Sequence, residues 1–439
     1  MSLAEQIGIK IPEVLLPIPG IDLQKWAVIA CDQFTSEPEY WQQVSDFVGD
    51  APSTLRMILP EVWLHSPDVD ERIRGTQEAM RRYLAEGLFA PHSGMILVER
   101  EASGQTRTGL MLALDLEAYD YNKGSQTLIR ATEGTILDRL PPRMRVRRGA
   151  PLELPHILVL YDDPNFSVLA PVLAAKAELP LCYDFDLMLG SGHLTGRWVD
   201  QPELLEAVIQ ALAGLIEPQT YAQKYAQPEG TQPLLFAMGD GNHSLATAKA
   251  IWEELKPRVG SAHPARYALV EIENLHDPAI QFEAIHRVLF NVSPDFINEL
   301  HAAFTPHIQL STLPDYETLK REVLAHSRPS QKIGMLSFQG FTLIELTQPR
   351  HNLPVGSLQN FLDSYLAAHT QTSIDYVHGD DVLSTLGQKP GNLGFYLAPI
   401  RKEAFFKTVI EEGALPRKTF SMGHAKDKRF YLECRRITV

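Results

Sequence analysis

The amino-acid sequence predicts an α+β fold, with mixed sheets, flanking helices and two lobes. Predicted strands and helices alternate along the first part of the chain, but hairpin-like strand pairs interrupt the alternation. After about residue 295 a new series of helices and strands begins. We therefore predict an N-terminal α+β region over residues 1–295 and a C-terminal α+β lobe over residues 296–439, separated at the turn "NVSPD".

The first hundred or so residues contain the elements that start this pattern. Three prolines in "IPEVLLPIPG" predict an extended arm, and "WAVIACDQF" predicts a buried strand ending at Asp32. The segment "SEPEYWQQVSDFVG" begins as helices do, with a serine, an early proline and acidic residues in the first turn. Residues 68–86 carry apolar side chains at helical spacing and stop at Gly87. The runs "GMILVERE" and "RTGLMLALDLEAYD", separated by "ASGQ", predict a hairpin.

Further elements follow from the same two periodicities. We predict strands at "HILVLYD", "LPLCYDFDLM", "GHLTGRWV", "PLLFAMGD" and "RYALVEIEN". We predict helices at "PELLEAVIQALAGLI" and "HSLATAKAIWEELK". In the C-terminal lobe, "PDFINELHAAF" and "DYETLKREVLAHS" predict helices, "KIGMLSF" and "FTLIELT" strands, and "SLQNFLDSYLAAH" a further helix.

Composition limits the classes of function. The chain has 439 residues, 44% of them hydrophobic, which is enough for two or three domains with sizeable cores. A formal charge of −14 argues against a nucleic-acid partner, because phosphate binding needs a basic surface. The three cysteines show no metal or redox spacing, which fits a reducing compartment. Because no segment resembles a signal peptide or a membrane span, we expect a cytoplasmic protein with no membrane partner.

The stretch "AMGDGNHSLATAKAIWEELK", residues 237–256, is the first candidate site. An apolar strand runs into a Gly-rich turn, and a helix starts near His243. The free N–H groups and the dipole of a helix N-terminus bind anions. Gly241 permits close approach, while Asp240 and His243 could orient a hydroxyl, a metal ion or a phosphate. The alternative is that Asn242 caps the helix and the glycines turn the chain.

Two shorter patterns contain paired charges. In "LIRATEGT", Arg130 and Glu133 could bind phosphate and accept a proton, although an ion pair or a helix cap explains them equally well. In "CYDFDLM", Asp184 and Asp186 lie two apart on a strand and therefore on one face. They predict a Mg²⁺ site if that face lines a cleft, and ordinary surface acids if it faces water.

Two basic stretches complete the candidates. Residues 137–149, "LDRLPPRMRVRRG", hold five arginines, which could bind phosphate or carboxylate or could form a solvated face or a subunit contact. Residues 415–433, "LPRKTFSMGHAKDKRFYLE", place Arg417, Lys418 and Lys428 around His424, as in an anion-binding loop, without matching a P-loop. The absence of GxGxxG, GxSxG, HExxH and paired CxxC motifs argues against Rossmann oxidoreductases, elbow-type serine hydrolases, zincins and zinc ribbons.

Five segments of the sequence together resemble one family. The segments "VIACDQFTSEPEYW", "DGNHSLATAK", "FEAIHRV", "IDYVHG" and "LPRKTFSMGHA" are similar to the domain of unknown function 1015 family, from about residue 10 to the C-terminus. The Asp-Gly-His-His-Arg motif of that family falls on residues 240–244. It is similar to the phosphate-binding box of the ParB/sulfiredoxin superfamily, which includes free-serine kinases. The resemblance implies a ParB/sulfiredoxin-like nucleotide-binding core in residues 1–295.

The sequence departs from the family motif at two positions. Asn242 stands for the first histidine and Ser244 stands for the arginine. Losing the arginine removes a bidentate phosphate ligand. Arg130, Arg417 or Lys418 would have to replace it from elsewhere in the sequence.

These patterns lead to a predicted phosphotransferase that acts on a small hydroxy amino acid such as free serine, or on a related phosphorylated metabolite, with ATP or ADP and Mg²⁺. The alternatives are a non-catalytic nucleotide- or metabolite-binding regulator and a phosphatase using the same site. We expect a small-molecule substrate and leave a homodimer open. In the predicted site, Asp240 and His243 organise phosphate and metal, Glu133 or Asp32 is the base, and the amides of Gly241, Asn242 and Ser244 with the side chains of Arg130, Arg417, Lys418 and His424 bind phosphate or substrate.

Overall fold

A computed structural model describes residues 1–134, 139–325, 329–423 and 425–439, apart from the side chain of Lys426. These residues form a mixed α+β fold, which confirms the predicted fold class. They divide into two compact units, Met1–Ile280 with Gly423–Val439, and Gln281–Met422. The predicted domain boundary near residue 295 falls within the second unit and stays a prediction. None of the described helices has the length and hydrophobicity needed to cross a membrane.

The first unit is built around a ten-stranded mixed sheet. The strands of the whole unit are β1 (Ile9–Lys10), β2 (Glu13–Pro17), β3 (Val28–Ile29), β4 (Phe89–Ser93), β5 (Met95–Ala102), β6 (Gln105–Asp115), β7 (Tyr119–Asp120), β8 (Ile129–Arg130), β9 (Leu152–Glu153), β10 (Leu158–Tyr161), β11 (Leu181–Asp186), β12 (His193–Val199), β13 (Phe236–Asp240), β14 (Tyr267–Asn274), β23 (Phe430–Tyr431) and β24 (Arg435–Arg436). The order in the main sheet is β11-β12-β5-β6-β14-β10-β13-β8-β7, with β1 paired to β6. Strand β13 is antiparallel to β10 and parallel to β8.

Three two-stranded sheets stand beside the main sheet, pairing β2 with β4, β3 with β23 and β9 with β24. The predicted extended arm is therefore strand β2, because the backbone of Glu13–Pro17 pairs with Phe89–Ser93. The predicted strand "WAVIACDQF" is shorter than expected: a helix covers Leu23–Trp26 and only Val28–Ile29 is a strand. The predicted hairpin of β5 and β6 is confirmed, and its turn is Ser103–Gly104.

The helices of the first unit are α1 (Leu3–Gln6), α2 (Leu23–Trp26), α3 (Pro38–Val48), α4 (Val69–Ala85), α5 (Leu140–Arg147), α6 (Ala170–Ala174), α7 (Pro202–Gly214), α8 (Pro218–Tyr225) and α9 (Asn242–Val259). Proline occupies the first turn of α3 and α7, where no N–H is needed. Alternate residues of β5 enter two different apolar clusters, Met95 and Leu97 in one, Ile96 and Val98 in the other. The central sheet is therefore buried on both faces, as expected when helices and additional strands cover each side.

The second unit contains a six-stranded antiparallel sheet. The strands of the whole unit are β15 (Phe282–Ala284), β16 (His286–Phe290), β17 (Ile308–Leu313), β18 (Gln331–Ser337), β19 (Gly340–Leu346), β20 (Ser373–Val377), β21 (Leu393–Tyr396) and β22 (Phe420–Met422). The sheet order is β17-β19-β18-β21-β16-β20, and β15 pairs separately with β22. Its helices are α10 (Phe296–Phe304), α11 (Tyr316–Leu324), α12 (Pro354–Ala368), α13 (Asp380–Gly387) and α14 (Lys402–Glu412).

Candidate functional site

The candidate site lies where strand β13 ends and helix α9 begins. Gly241 separates the two elements in the left-handed conformation, with φ 80° and ψ 25°, which glycine adopts without a steric cost. A Cβ atom at this position would lie 3.1 Å from the Cα atom of Ile157 and 3.2 Å from its Cγ1 atom. Glycine is therefore needed both for the turn and for the close approach of the helix start to the chain entering β10.

The start of helix α9 has no side-chain cap among the described residues. The alternative interpretation of Asn242 as a cap is wrong, because the N-cap residue is Gly241 and Asn242 is already helical. The Asn242 side chain instead accepts a hydrogen bond from the Thr132 amide at 3.3 Å and donates to the Thr132 hydroxyl at 3.4 Å. The Ser244 amide donates to the Gly241 carbonyl at 2.9 Å, and the Gly241 amide donates to Asp240. Two of the three amides predicted to bind phosphate therefore already have acceptors, while the helix dipole still favours an anion at this N-terminus.

Asp240, the last residue of β13, is held by two contacts. Its Oδ1 accepts a hydrogen bond from the Gly241 amide at 2.8 Å, and its Oδ2 lies 3.0 Å from the ammonium of Lys428. The Lys428 side chain is only 11% exposed and that of Asp240 is 24% exposed. Lys428 belongs to the basic stretch of residues 415–433 but is not among the predicted site residues. A partly buried cation therefore lies beside the turn that starts α9.

A buried imidazole contacts three segments of the first unit. The Nε2 atom of His156 lies 3.0 Å from Oγ of Ser244, in the first turn of α9, and 3.6 Å from Oδ2 of Asp32. Its Nδ1 atom lies 2.7 Å from the hydroxyl of Tyr431, on β23. His156 and Tyr431 are not among the site residues predicted from the sequence. The only local signal for His156 is a histidine directly before an apolar strand, and a buried core histidine gives the same signal.

Asp32 and His156 shift each other's ionisation in opposite directions. Burial alone would raise the pKa of Asp32, but the charge and hydrogen bond of His156, with smaller contributions from Gln33 and Lys428, hold the pKa of that carboxyl below its usual range. Burial alone would lower the pKa of His156, but the charge and hydrogen bond of Asp32, followed by the charge of Asp240, raise it. Each group therefore favours the charged form of the other.

Tyr431 fixes the chain that carries Asp32. Its hydroxyl accepts a hydrogen bond from the Cys31 amide at 3.2 Å and lies 3.0 Å from the Cys31 sulfur. Burial raises the pKa of Tyr431, so the hydroxyl stays protonated at neutral pH. Burial also raises the pKa of Cys31, so this sulfur is a neutral thiol and not a nucleophile.

A cavity of about 140 Å³ adjoins these groups within the first unit. Cys31, His156, Ser244 and Tyr431 line one part of it, and side chains such as Met80 belong to its apolar wall. The first unit thus combines charged groups and a small, partly open cavity at the start of α9.

The other predicted residues of the first unit lie as follows. His243 is in the first turn of α9, and its carbonyl accepts a hydrogen bond from the Thr247 hydroxyl at 2.7 Å. Glu133 follows β8 and is partly exposed. Arg130 is 1% exposed and donates to the carbonyls of Thr127 at 2.8 Å and Gln232 at 3.0 Å. Since Gln232 precedes β13 and Asp240 ends it, the bond of Arg130 to Gln232 lies at the other end of that strand.

Three predicted ligands come from the segment near the C-terminus. His424 lies outside the described residues. Arg417 and Lys418 belong to the second unit, where Nη2 of Arg417 lies 3.3 Å from Oδ1 of Asp363. Their contribution to an anion site in the first unit stays a prediction.

The carboxylates of Asp184 and Asp186 both bind one histidine. Nε2 of His193 lies 2.5 Å from Asp184, and Nδ1 lies 2.7 Å from Asp186. The two aspartates share a face of β11, as their spacing predicts, and their side chains are 49% and 81% exposed. Among the residues that the structure describes, no group of three or more His, Cys, Asp or Glu side chains could hold a metal ion.

The arginine run of helix α5 forms ion pairs within the first unit. The pairs are Arg143 with Glu61, Arg145 with Asp70, Arg147 with Glu153 and Arg148 with Glu254. These guanidinium groups therefore already have carboxylate partners, and the run connects α5 to its neighbours.

Comparison with known proteins gives a family match and weak structural likenesses. The model of the family described as protein of unknown function (DUF1015) matches residues 15–365. The comparison with curated proteins gave no match. Among solved structures, a conserved hypothetical protein from Pyrococcus furiosus is similar at 10% identity and a TM-score of 0.36, covering 75% of this chain and 95% of that one.

A free serine kinase in complex with AMP is similar at 8% identity and a TM-score of 0.36, covering 75% of this chain and 91% of that one. SbnI with a C-terminal truncation, from Staphylococcus aureus, is similar at 9% identity and a TM-score of 0.27, covering 62% of this chain and 82% of that one. Scores this low carry no argument about function. The ParB/sulfiredoxin-like core that the sequence resemblance implies stays a prediction.

Proposed function

We propose that this chain, which belongs to the DUF1015 family, is a phosphotransferase that moves a phosphoryl group from ATP or ADP to the hydroxyl of a small acceptor such as free serine. One observation carries the proposal. Around the uncapped start of α9, the first unit brings together the Asp240–Lys428 pair and the Asp32–His156 pair. Phosphoryl transfer depends mainly on positioning and charge neutralisation, and these groups can supply both.

The nucleotide phosphates would lie at the N-terminus of α9. The amides of Gly241 and Ser244 already donate to Asp240 and to the Gly241 carbonyl, so the phosphates would contact the amide of Asn242, at the positive end of the helix dipole. Gly241 adopts the left-handed conformation from which this helix starts. Lys428 would neutralise phosphate charge in place of the arginine that Ser244 replaces in the family motif. A single ammonium gives a point charge and not a bidentate contact.

The residues present also fit a Mg²⁺ ion. Mg²⁺ is usually bound by one or two carboxylates, phosphate oxygens and several waters, and it does not need an all-protein cage. Asp240 would supply one carboxylate ligand through a second lone pair of the oxygen that lies 3.0 Å from the Lys428 ammonium, beside the proposed phosphate site. When bound with the nucleotide, the ion would neutralise negative charge on the phosphate oxygens.

Asp32 would receive the proton of the acceptor. The acceptor oxygen attacks the terminal phosphorus, the bond from this phosphorus to the bridging oxygen breaks, and that oxygen leaves with the nucleotide product. The hydroxyl proton passes to the Asp32 carboxylate. Because its pKa is held below the usual range, Asp32 is ionised and able to orient the hydroxyl. His156 would hold this carboxylate in place at 3.6 Å.

A turnover assay tests the proposal. The purified protein is incubated with Mg²⁺, ATP or ADP and a panel of hydroxy amino acids, and products are followed by phosphorus NMR. We expect Lys428→Met and Asp32→Asn each to lower kcat/KM by about 100-fold or more. The matched control is Lys224→Met, which removes an ammonium that also lies 3.0 Å from an aspartate, Asp162, in the same unit.

The outcomes separate the candidate functions. Full activity in both site variants would refute the assignment of the site. Thermal stabilisation by nucleotide without any turnover would overturn the phosphotransferase proposal in favour of a binding regulator, since a ligand that binds only the native state raises its stability. Release of inorganic phosphate from a phosphorylated metabolite, without transfer, would favour a phosphatase.

A further inference from the structure

The lining and volume of the cavity beside His156 indicate the size and polarity of the acceptor, which the charged groups do not. Its polar end is formed by Cys31, His156, Ser244 and Tyr431. Much of the rest of its lining is apolar and comes from the segment 57–59, from α4 and α5 and from β9. The cavity therefore has one polar end, which carries the imidazole, and a remainder in which apolar side chains accompany two ion pairs.

The ionisable groups elsewhere in the lining are already paired. Arg143 lies 2.6 Å from Glu61, and Arg147 lies 2.5 Å from Glu153. All four side chains are less than a fifth exposed. Breaking a buried pair to bind a charged guest would leave a charge without its partner, at a cost of several kcal/mol. A guest is therefore favoured if the part of it that enters the cavity is uncharged and apolar.

The volume limits the size of that part. A cavity of about 150 Å³ lined by apolar side chains accepts a benzene ring. The space beside His156, at about 140 Å³, is nearly the same size. The hydroxymethyl group of serine would leave most of it empty, so the free energy of burying apolar surface would not be used.

We infer that the preferred acceptor is a β-hydroxy amino acid, or a similar hydroxy compound, whose hydroxyl-bearing carbon carries an apolar group of up to the size of a phenyl ring. The apolar group fills the cavity, and the hydroxyl stays at the polar end beside His156 and Ser244. This inference rests on the proposed function and goes beyond it, because it ranks serine below its bulkier analogues.

A graded series of acceptors tests the inference. Serine, threonine, β-hydroxynorvaline and β-phenylserine differ only in the group on the hydroxyl-bearing carbon. We expect kcat/KM to rise about fourfold for each added methyl or methylene group, which corresponds to the burial of one such group. A flat series, or one that falls from serine onward, would overturn the inference.

Variants of the wall locate the effect. Ala150 is 4% exposed and lines the cavity, so Ala150→Leu should reduce the ratio of kcat/KM for β-phenylserine over serine by tenfold or more. Met80→Ala enlarges the same cavity and should shift the preference toward larger groups. The control is Met95→Ala, which truncates a fully buried methionine in the other apolar cluster and should leave the ratio unchanged. An unchanged ratio in both cavity variants would contradict the inference.

Binding measurements separate this inference from the proposed function. Calorimetric titration of the four acceptors is performed with and without ADP. If affinity rises with apolar size and falls in Ala150→Leu, but no phosphoryl group moves, the inference stands and the phosphotransferase proposal fails. If serine is phosphorylated and neither affinity nor kcat/KM depends on apolar size, the proposal stands and the inference fails.

Discussion

Replacing Gly241 by alanine should destabilise the first unit for two separable reasons. The first is the backbone, because φ is 80° and an L-residue in the left-handed region costs about 1–2 kcal/mol. The second is packing, because the new Cβ atom would lie 3.1 Å from the Cα atom of Ile157, and overpacking typically costs about 1–3 kcal/mol. We therefore expect Gly241→Ala to lower the free energy of unfolding by about 2–5 kcal/mol.

A second glycine isolates the backbone contribution. Gly87 follows helix α4 with φ 69°, and a Cβ atom there would meet no atom within 4 Å. Gly87→Ala should therefore cost only the backbone part, about 1–2 kcal/mol. Urea unfolding followed by circular dichroism measures both variants. If Gly241→Ala is no more destabilising than Gly87→Ala, helix α9 does not start as close to Ile157 as described, and the geometry assigned to the anion site is wrong.

Three further predictions concern buried and exposed ionisable groups. Tyr431→Phe should cost about 1–3 kcal/mol in urea unfolding, because the buried imidazole of the candidate site loses a partner; a change near zero would contradict that bond. Burial raises the pKa of Glu153, but the charges of Arg435 and a second arginine lower it by a larger amount, so its net pKa is below the usual value. The stabilising effect of Glu153 is therefore present above its unfolded-state pKa and is lost as pH falls through the folded-state pKa. Glu153→Gln should therefore cost about 3–5 kcal/mol at pH 7, and a gap to the wild type that does not shrink under acid titration below about pH 4 would refute this account. His193 has its pKa raised first by the hydrogen bond with Asp186, so Asp186→Asn should lower the imidazole pKa in an NMR titration, and an unchanged value would show that the bond is absent in solution.

The junction of β13 and α9 could be predicted from sequence because its determinants are local. A run of apolar residues, a glycine that tolerates a left-handed turn and a helical period follow one another within about twenty residues. The structure has the strand at Phe236–Asp240 and the helix from Asn242. Local pattern did not reveal which residue caps the helix, since Asn242 turns its side chain to Thr132, a residue more than a hundred positions away in the chain.

The partners of this junction could not be predicted because the order of strands in the sheet brings them together. His156 reaches Ser244 because β10, which follows it, pairs with β13. Tyr431 reaches His156 because β23 pairs with β3, four hundred residues earlier in the chain. A single sequence contains no signal for such pairings. The sequence also does not show which polar side chains are buried. Arg130, which we predicted to bind an anion, is buried and donates to backbone carbonyls.

The return of residues 423–439 to the first unit has a consequence for biosynthesis. Strands β3 and β9 pair with β23 and β24, which follow the second unit in the sequence. At about 5–20 residues per second, a ribosome needs about 7–30 s to make the intervening residues 281–422. During that interval β3 and β9 of the nascent first unit lack their partner strands, and His156 lacks its contact with Tyr431. Although most of its residues are translated first, it is the last of the two to be completed.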